Sequence, residues 1–196
     1  MEIKASDVKK LRDLTGSGMM DAKKALAEAK GDIDKALVIL KEKGASIAAS
    51  KSERVTAQGL IATYIHPGDK IGAMVEVNCE TDFVARGDDF KKLVKQIATH
   101  VAGMQPLYVG PEDVPADVLA AEKSLYSSQV EGKAKDIADK AIAGKLEGFY
   151  ESVCLLRQPF VLDQDKKIED LINDVVLVVK ENIKIARFAR FEVGDR

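Results

Sequence analysis

Residues 59–80, GLIATYIHPGDKIGAMVEVNCE, decide the fold class. Two β-rich runs flank His66-Pro67-Gly68-Asp69, which has the chemistry of a tight turn, so the stretch predicts a β-hairpin. In the second run Ile71, Ala73, Val75, Val77 and Cys79 share one face, and Met74, Glu76, Asn78 and Glu80 share the other. The first set faces a core, which makes Cys79 a small buried hydrophobe rather than a reactive thiol. After Glu80 the pattern stops. Residues 81–89, TDFVARGDD, are acidic and carry one aromatic, Phe83, between Asp82 and Val84.

Downstream, Asp88 or Asp89 is positioned to cap a helix whose apolar stripe is Phe90, Leu93, Val94, Ile97 and Val101. Residues 110–129 read as a proline-initiated helix with Pro115 at its first position. Residues 132–156 read as shorter helical pieces punctuated by Gly144 and Gly148. Ile168, Leu171, Ile172, Val175 and Val176 mark a further helix. The closing run NIKIARFARFEV, residues 182–193, alternates like a strand, with Ile183, Ile185, Arg187, Ala189, Phe191 and Val193 against Lys184, Ala186, Phe188, Arg190 and Glu192. Strands early and late with helices between them predict an α+β domain, its terminal strand pairing with the hairpin and helices packed on a small antiparallel sheet.

Upstream, residues 1–44 read as three short amphipathic helices. Val8, Leu11 and Leu14 mark the first, which TGSG breaks. Met19, Ala22, Leu26 and Ala29 mark the second, stopped by Gly31. Asp32 caps a third that carries Ile33, Ala36, Leu37 and Leu40 and ends at Gly44. Helices this short are marginal alone, so they predict a three-helix bundle. Residues 45–58 are small and polar, read as a connecting helix or linker, and the core domain is expected over 59–196.

Several function classes lose support on composition. The chain has 196 residues, 5% aromatics, no Trp, 32% charged residues and a net charge of −2. Residues 1–56 hold 12 Lys and Arg against 9 Asp and Glu, interleaved. Lys9, Lys10, Arg12, Lys23, Lys24 and Lys30 therefore read as a solvated face rather than a nucleic-acid footprint. No phosphate-cradling loop is present, since TGSGMMD has Asp21 where a dinucleotide fingerprint wants a third glycine. His66 reads as a turn residue and His100 as a helix-surface group, neither in metal-ligand spacing. Glu80 with Asp82, and Asp88 with Asp89, resemble acid/base or metal pairs, but the first pair ends a strand and the second precedes a helix, and both places favour acids for capping alone. No cofactor is expected. With no apolar leader and no run of 18 apolar residues, a cytoplasmic location is expected. Met19 and Met20 admit two readings, an adaptable partner-binding surface or a wide core stripe.

Two stretches carry a resemblance. VKKLRDLTGSGMMDAKKALAEAKGDIDKALVILKEKG, residues 8–44, resembles the N-terminal domain of the bacterial elongation factor Ts family, a module similar to ubiquitin-associated domains. VNCETDFVAR, residues 77–86, resembles that family's second signature almost letter for letter. The hairpin and the closing strand fit the same family's core. The resemblance implies a guanine-nucleotide exchange factor, not an enzyme, that binds elongation factor Tu in its GDP-bound and nucleotide-free states. It implies that Thr81, Asp82, Phe83 and Val84 form a motif entering the partner near its magnesium site, and that Lys9, Arg12, Met19 and Met20 contact another part of the same partner. On that ground the methionines are expected at the surface. Compact members of the family homodimerise, so a dimer is expected, with no direct contact to nucleic acid or membrane. The rival readings are a helix-binding adaptor and, more distantly, an enzyme using Glu80 and Asp82.

Overall fold

The structure is a computed structural model that describes residues 3–132 and 134–195. The hairpin forms as expected: β1 (Gln58–Ile65) pairs antiparallel with β2 (Ile71–Cys79), and the turn between them uses positive φ at Gly68 and Asp69. The closing strand β5 (Ile183–Glu192) adds to the other side of β2, giving the order β1-β2-β5 with β2 central. The alternation of β5 is not continuous. Glu76 faces Arg187 while Val77 faces Ile185, so Ala186 is an extra residue that reverses the strand's faces. Ile183 and Ile185 point into the core, whereas beyond the bulge Arg187 and Phe191 are exposed and Phe188 is half-buried. Strict period-two reading of residues 182–193 fails for that reason.

Against the inner face of the sheet packs α5 (Asp88–Met104), burying Phe90, Leu93, Val94, Ile97 and Val101 with Val75, Val77 and Cys79. Gly87, not Asp88 or Asp89, is its capping residue; the two acids occupy the first turn, where the helix dipole favours them. α8 (Ile168–Val179) closes the same core with Ile168, Ile172 and Val176. His100 lies on the inner face of α5 and is fully buried, contrary to the expected surface position. The Val161 N–H donates to its Nδ1 at 3.2 Å, so Nε2 carries the proton and donates to Gln158 Oε1 at 3.0 Å. Those partners lie about sixty residues along the chain, beyond the reach of helical periodicity.

The N-terminal helices α1 (Ala5–Thr15), α2 (Met19–Glu28) and α3 (Ile33–Lys51) enclose a second apolar cluster that includes Val8, Leu11, Leu26, Ala36 and Leu40. Asp32 caps α3 as expected, accepting from the Lys35 N–H. Gly44 does not end that helix, which runs on to Lys51. A Cβ at Gly44 would fall 2.7 Å from the Asn173 carbonyl oxygen, so glycine here permits close contact between α3 and α8. Leu177 of α8 belongs to the bundle's cluster, and Ile47 of α3 packs on both clusters.

Pro115 precedes α6 (Ala116–Ser128) as its capping residue rather than its first helical one, and Pro111–Asp113 form a separate 3-10 turn. α7 (Lys135–Val153) is one helix of 19 residues, although it was expected in pieces. Neither Gly144 nor Gly148 has a neighbour where a Cβ would stand, so each costs the helix intrinsic propensity without breaking it. The two helices lean on each other through Lys145, which donates to Gln129 and lies over the Tyr126 ring. A short hairpin of β3 (Pro159–Phe160) and β4 (Asp163–Lys167), with no signal in the sequence, leads into α8.

Candidate partner-binding surface

The motif after β2 is built by strand register. Cys79 stands opposite Ile183. Extending that antiparallel pairing beyond the sheet sets Glu80 across from Asn182 and Thr81 across from Glu181, and hydrogen bonds form at both places. The Asn182 N–H donates to Glu80 Oε1 at 2.7 Å, the Thr81 N–H to Glu181 Oε2 at 3.0 Å and the Thr81 hydroxyl to Glu181 Oε1 at 2.7 Å. Carboxylates thus continue a ladder that the backbone has left. The Asn182 amide, and after it Arg54, hold the Glu80 carboxyl below its usual range. The Glu80 carboxylate thus serves as a structural acceptor for the Asn182 N–H and Arg54.

Thr81 then caps α4 (Asp82–Ala85), its hydroxyl accepting from the Val84 N–H at 3.4 Å. Four residues make about one turn, so opposite sides of α4 meet different surroundings. Val84 and Ala85 turn into the core, while Asp82 and Phe83 turn out. Phe83 is 84% exposed, and Asp82 is held by Arg86 at 2.7 Å in a solvated i,i+4 pair. Of the four expected motif residues, Thr81, Asp82 and Phe83 are exposed and Val84 is an anchor whose side chain is in the core.

On the N-terminal bundle, Lys9 and Arg12 are exposed and three residues apart on α1. Met19 and Met20 are 52% and 63% exposed, so both lie outside. The buried positions of α2 begin one turn later, at Ala22. Asp21, next to the methionines, receives Lys43 at 2.7 Å and Lys180 at 3.1 Å, and these bonds, Lys43's first, hold its carboxyl below the usual range. A third apolar surface is the outer face of the sheet, where Ile61, Ile65, Met74 and Phe191 are exposed and no helix of the described residues covers them.

Among the described residues no three His, Cys, Asp or Glu side chains gather as a metal group. His66 Nδ1 lies 3.3 Å from the Tyr64 hydroxyl, and desolvation raises the pKa of both the Cys79 and Cys154 thiols, the latter to about 11. No helix among the described residues is long and apolar enough to cross a membrane. Glu181 is the site residue that sequence reading passed over, because it acts across 100 residues of chain. The signal that could have found it was the register: once Cys79 is paired with Ile183, Thr81 and Glu181 must meet.

Comparison with known proteins adds a separate line. A family model described as "Elongation factor TS" matches residues 2–195. The chain is 53% identical over 197 residues to a protein of Coprothermobacter proteolyticus named "Elongation factor Ts", with 100% of each chain covered. It is 51% identical over 197 residues to one of the same name from Fervidobacterium nodosum, again with 100% of each covered. For the Thermotoga maritima protein, also "Elongation factor Ts", the identity is 49% over 195 residues, with 100% of this chain and 98% of the relative covered.

Proposed function

This chain belongs to the elongation factor Ts family, and from that premise we propose that it is a guanine-nucleotide exchange factor for elongation factor Tu, active in the cytoplasm during translation elongation. It promotes GDP release by disrupting the magnesium and phosphate side of the partner's nucleotide site. The observation that carries this reading is the outward pair Asp82-Phe83 on a short helix anchored from beneath by Val84 and Ala85. An aromatic ring standing in water gains by entering a partner's apolar gap, and an adjacent carboxylate brings a negative oxygen that competes there with the ligands of a magnesium ion.

Exchange of this kind needs no reaction of its own. It is a coupling between two ligands of one partner: the factor weakens GDP and GDP weakens the factor by the same amount. The factor must therefore fit the nucleotide-free partner better than the GDP-bound one. Lys9, Arg12, Met19 and Met20 supply a second contact, the methionines as adaptable apolar groups and the bases as steering charges. The uncovered outer face of the sheet, with Ile61, Met74 and Phe191, supports a homodimer in which two sheets pack face to face.

Release of a fluorescent GDP analogue from elongation factor Tu, chased with excess unlabelled GDP, tests the reading. The chain is expected to accelerate the decay in proportion to its concentration until saturation. Identical decays with and without it would sink the proposal.

A further inference from the structure

Between α8 and β5 stand three consecutive residues, Lys180, Glu181 and Asn182, whose side chains reach three different parts of the molecule. Lys180 adopts the left-handed conformation, φ 58° and ψ 29°, and its N–H closes α8 on the Val176 carbonyl. The chain turns sharply there, so successive side chains diverge. Lys180 bonds Asp21, beside Met19 and Met20, at 3.1 Å. Glu181 accepts both the N–H and the hydroxyl of Thr81, the residue that caps α4. Asn182, buried, donates its amide to the carbonyls of Ser52 at 3.2 Å and Arg54 at 2.8 Å, just beyond α3, while its backbone N–H holds Glu80.

We propose that Lys180-Glu181-Asn182 is a positioning clamp that fixes Asp82 and Phe83 relative to the methionine end of α2, so that both surfaces meet one partner at a set separation. A helix of four residues has no stability of its own, so α4 takes its orientation from its attachments. On the inner side these are Val84 and Ala85. On the outer side the Thr81 cap is long, and Glu181 is the strong restraint. Surface ion pairs contribute little to global stability, and Lys180 with Asp21 is no exception. Their effect is on geometry: two surfaces already set apart correctly do not pay ordering entropy again on binding, and a wedge that rocks does.

The clamp's bearing on exchange rests on the reading above, but its geometry is testable without the partner. Spin labels at K24C and F83C report the distance between α2 and α4, and the native Cys79 and Cys154 are buried and escape labelling. The parent is expected to give one narrow distance distribution, and Lys180→Ala with Glu181→Ala a broad one. An unchanged distribution overturns the clamp whatever the protein does to elongation factor Tu.

In unlabelled protein Glu181→Ala is expected to slow accelerated GDP release about fivefold, roughly 1 kcal/mol. Glu181→Gln, whose amide still accepts from the Thr81 N–H and donates to its hydroxyl oxygen, should recover most of that loss. In a Phe83→Ala background Glu181→Ala should add less than about twofold, because Glu181 acts through the placement of that ring. A wild-type release rate in Glu181→Ala, or full additivity with Phe83→Ala, overturns the positioning role. Failure of the wild-type chain to accelerate release sinks the exchange reading instead, and the spin-label distances still decide the clamp.

Discussion

Phe83 is so exposed that removing its ring should cost the free protein almost nothing, and on the proposed function the loss is expected in the complex with the partner. Burying one Phe contributes about 1.5–3 kcal/mol, which is roughly ten- to a hundredfold in rate at 1.4 kcal/mol per tenfold. Phe83→Ala should therefore slow accelerated GDP release by that factor while the thermal midpoint moves by no more than about 2 °C. A large drop in midpoint with unchanged release would make Phe83 a stability residue. His100 presents the opposite case, a polar group deep in the core. Burial, only partly opposed by the Gln158 bond, pushes its pKa below the usual imidazole value. The unfolded chain then binds a proton that the folded chain refuses, so the stability due to His100 is complete above about pH 6.5 and is lost as pH falls towards its folded pKa. Urea midpoints should decline across that window in the wild type and decline less in His100→Gln. Equal slopes in the two proteins would remove His100 as the cause.

Among the elements, α3 and α7 show how one residue type means opposite things. Gly44→Ala improves helix propensity by about 1 kcal/mol, yet its methyl would meet the Asn173 carbonyl at 2.7 Å. Backbone cannot swing away, and overpacking of this kind costs about 1–3 kcal/mol. The clash should win, lowering the thermal midpoint by several degrees. Gly148→Ala in α7 meets nothing and should raise it by about 2–4 °C. If scanning calorimetry finds both substitutions stabilising, close packing between α3 and α8 is not what holds the bundle. The same contrast marks the limit of what could be read beforehand. Periodicity found α1, α2, α5 and α8, because their apolar stripes are local facts about sequence. It also found the hairpin, through the chemistry of Pro67-Gly68-Asp69. It ended α3 at Gly44 and divided α7 at its glycines, because only a neighbour more than a hundred residues away, or its absence, decides what a glycine does. The Ala186 bulge was hidden for a similar reason: residues 182–193 alternate well enough in one dimension, and the interruption exists only against Glu76 and Val77. At the site, Phe83 stood out as a lone aromatic in an acidic turn, while Glu181 stayed silent until its strand was paired.

At the scale of the whole molecule, two apolar clusters meet along α3 and α8, with Leu177 and Ile47 at the join. Among the described residues the sheet has helices on one face only. Its other face leaves Phe191 74% exposed near Ile65 and Met74. A charge there should separate a dimer without touching the interior, so Phe191→Glu is expected to halve the mass found by light scattering. A wild-type mass of one chain would exclude the sheet-to-sheet dimer. Pairing of β2 with β5 has a further consequence, in time rather than in space. Thr81 and Glu181, at the end of that ladder, are 100 residues apart, and contacts of such long sequence separation form slowly because a long loop must close first. The hairpin and α5 are neighbours in sequence and have no such delay. During refolding, the edge of β2 is therefore expected to stay open until its last strand pairs, and two half-folded chains are expected to join wrongly there. Pulse-labelled hydrogen exchange should find α5 amides protected before those of β5, and dilution during that interval should improve recovery.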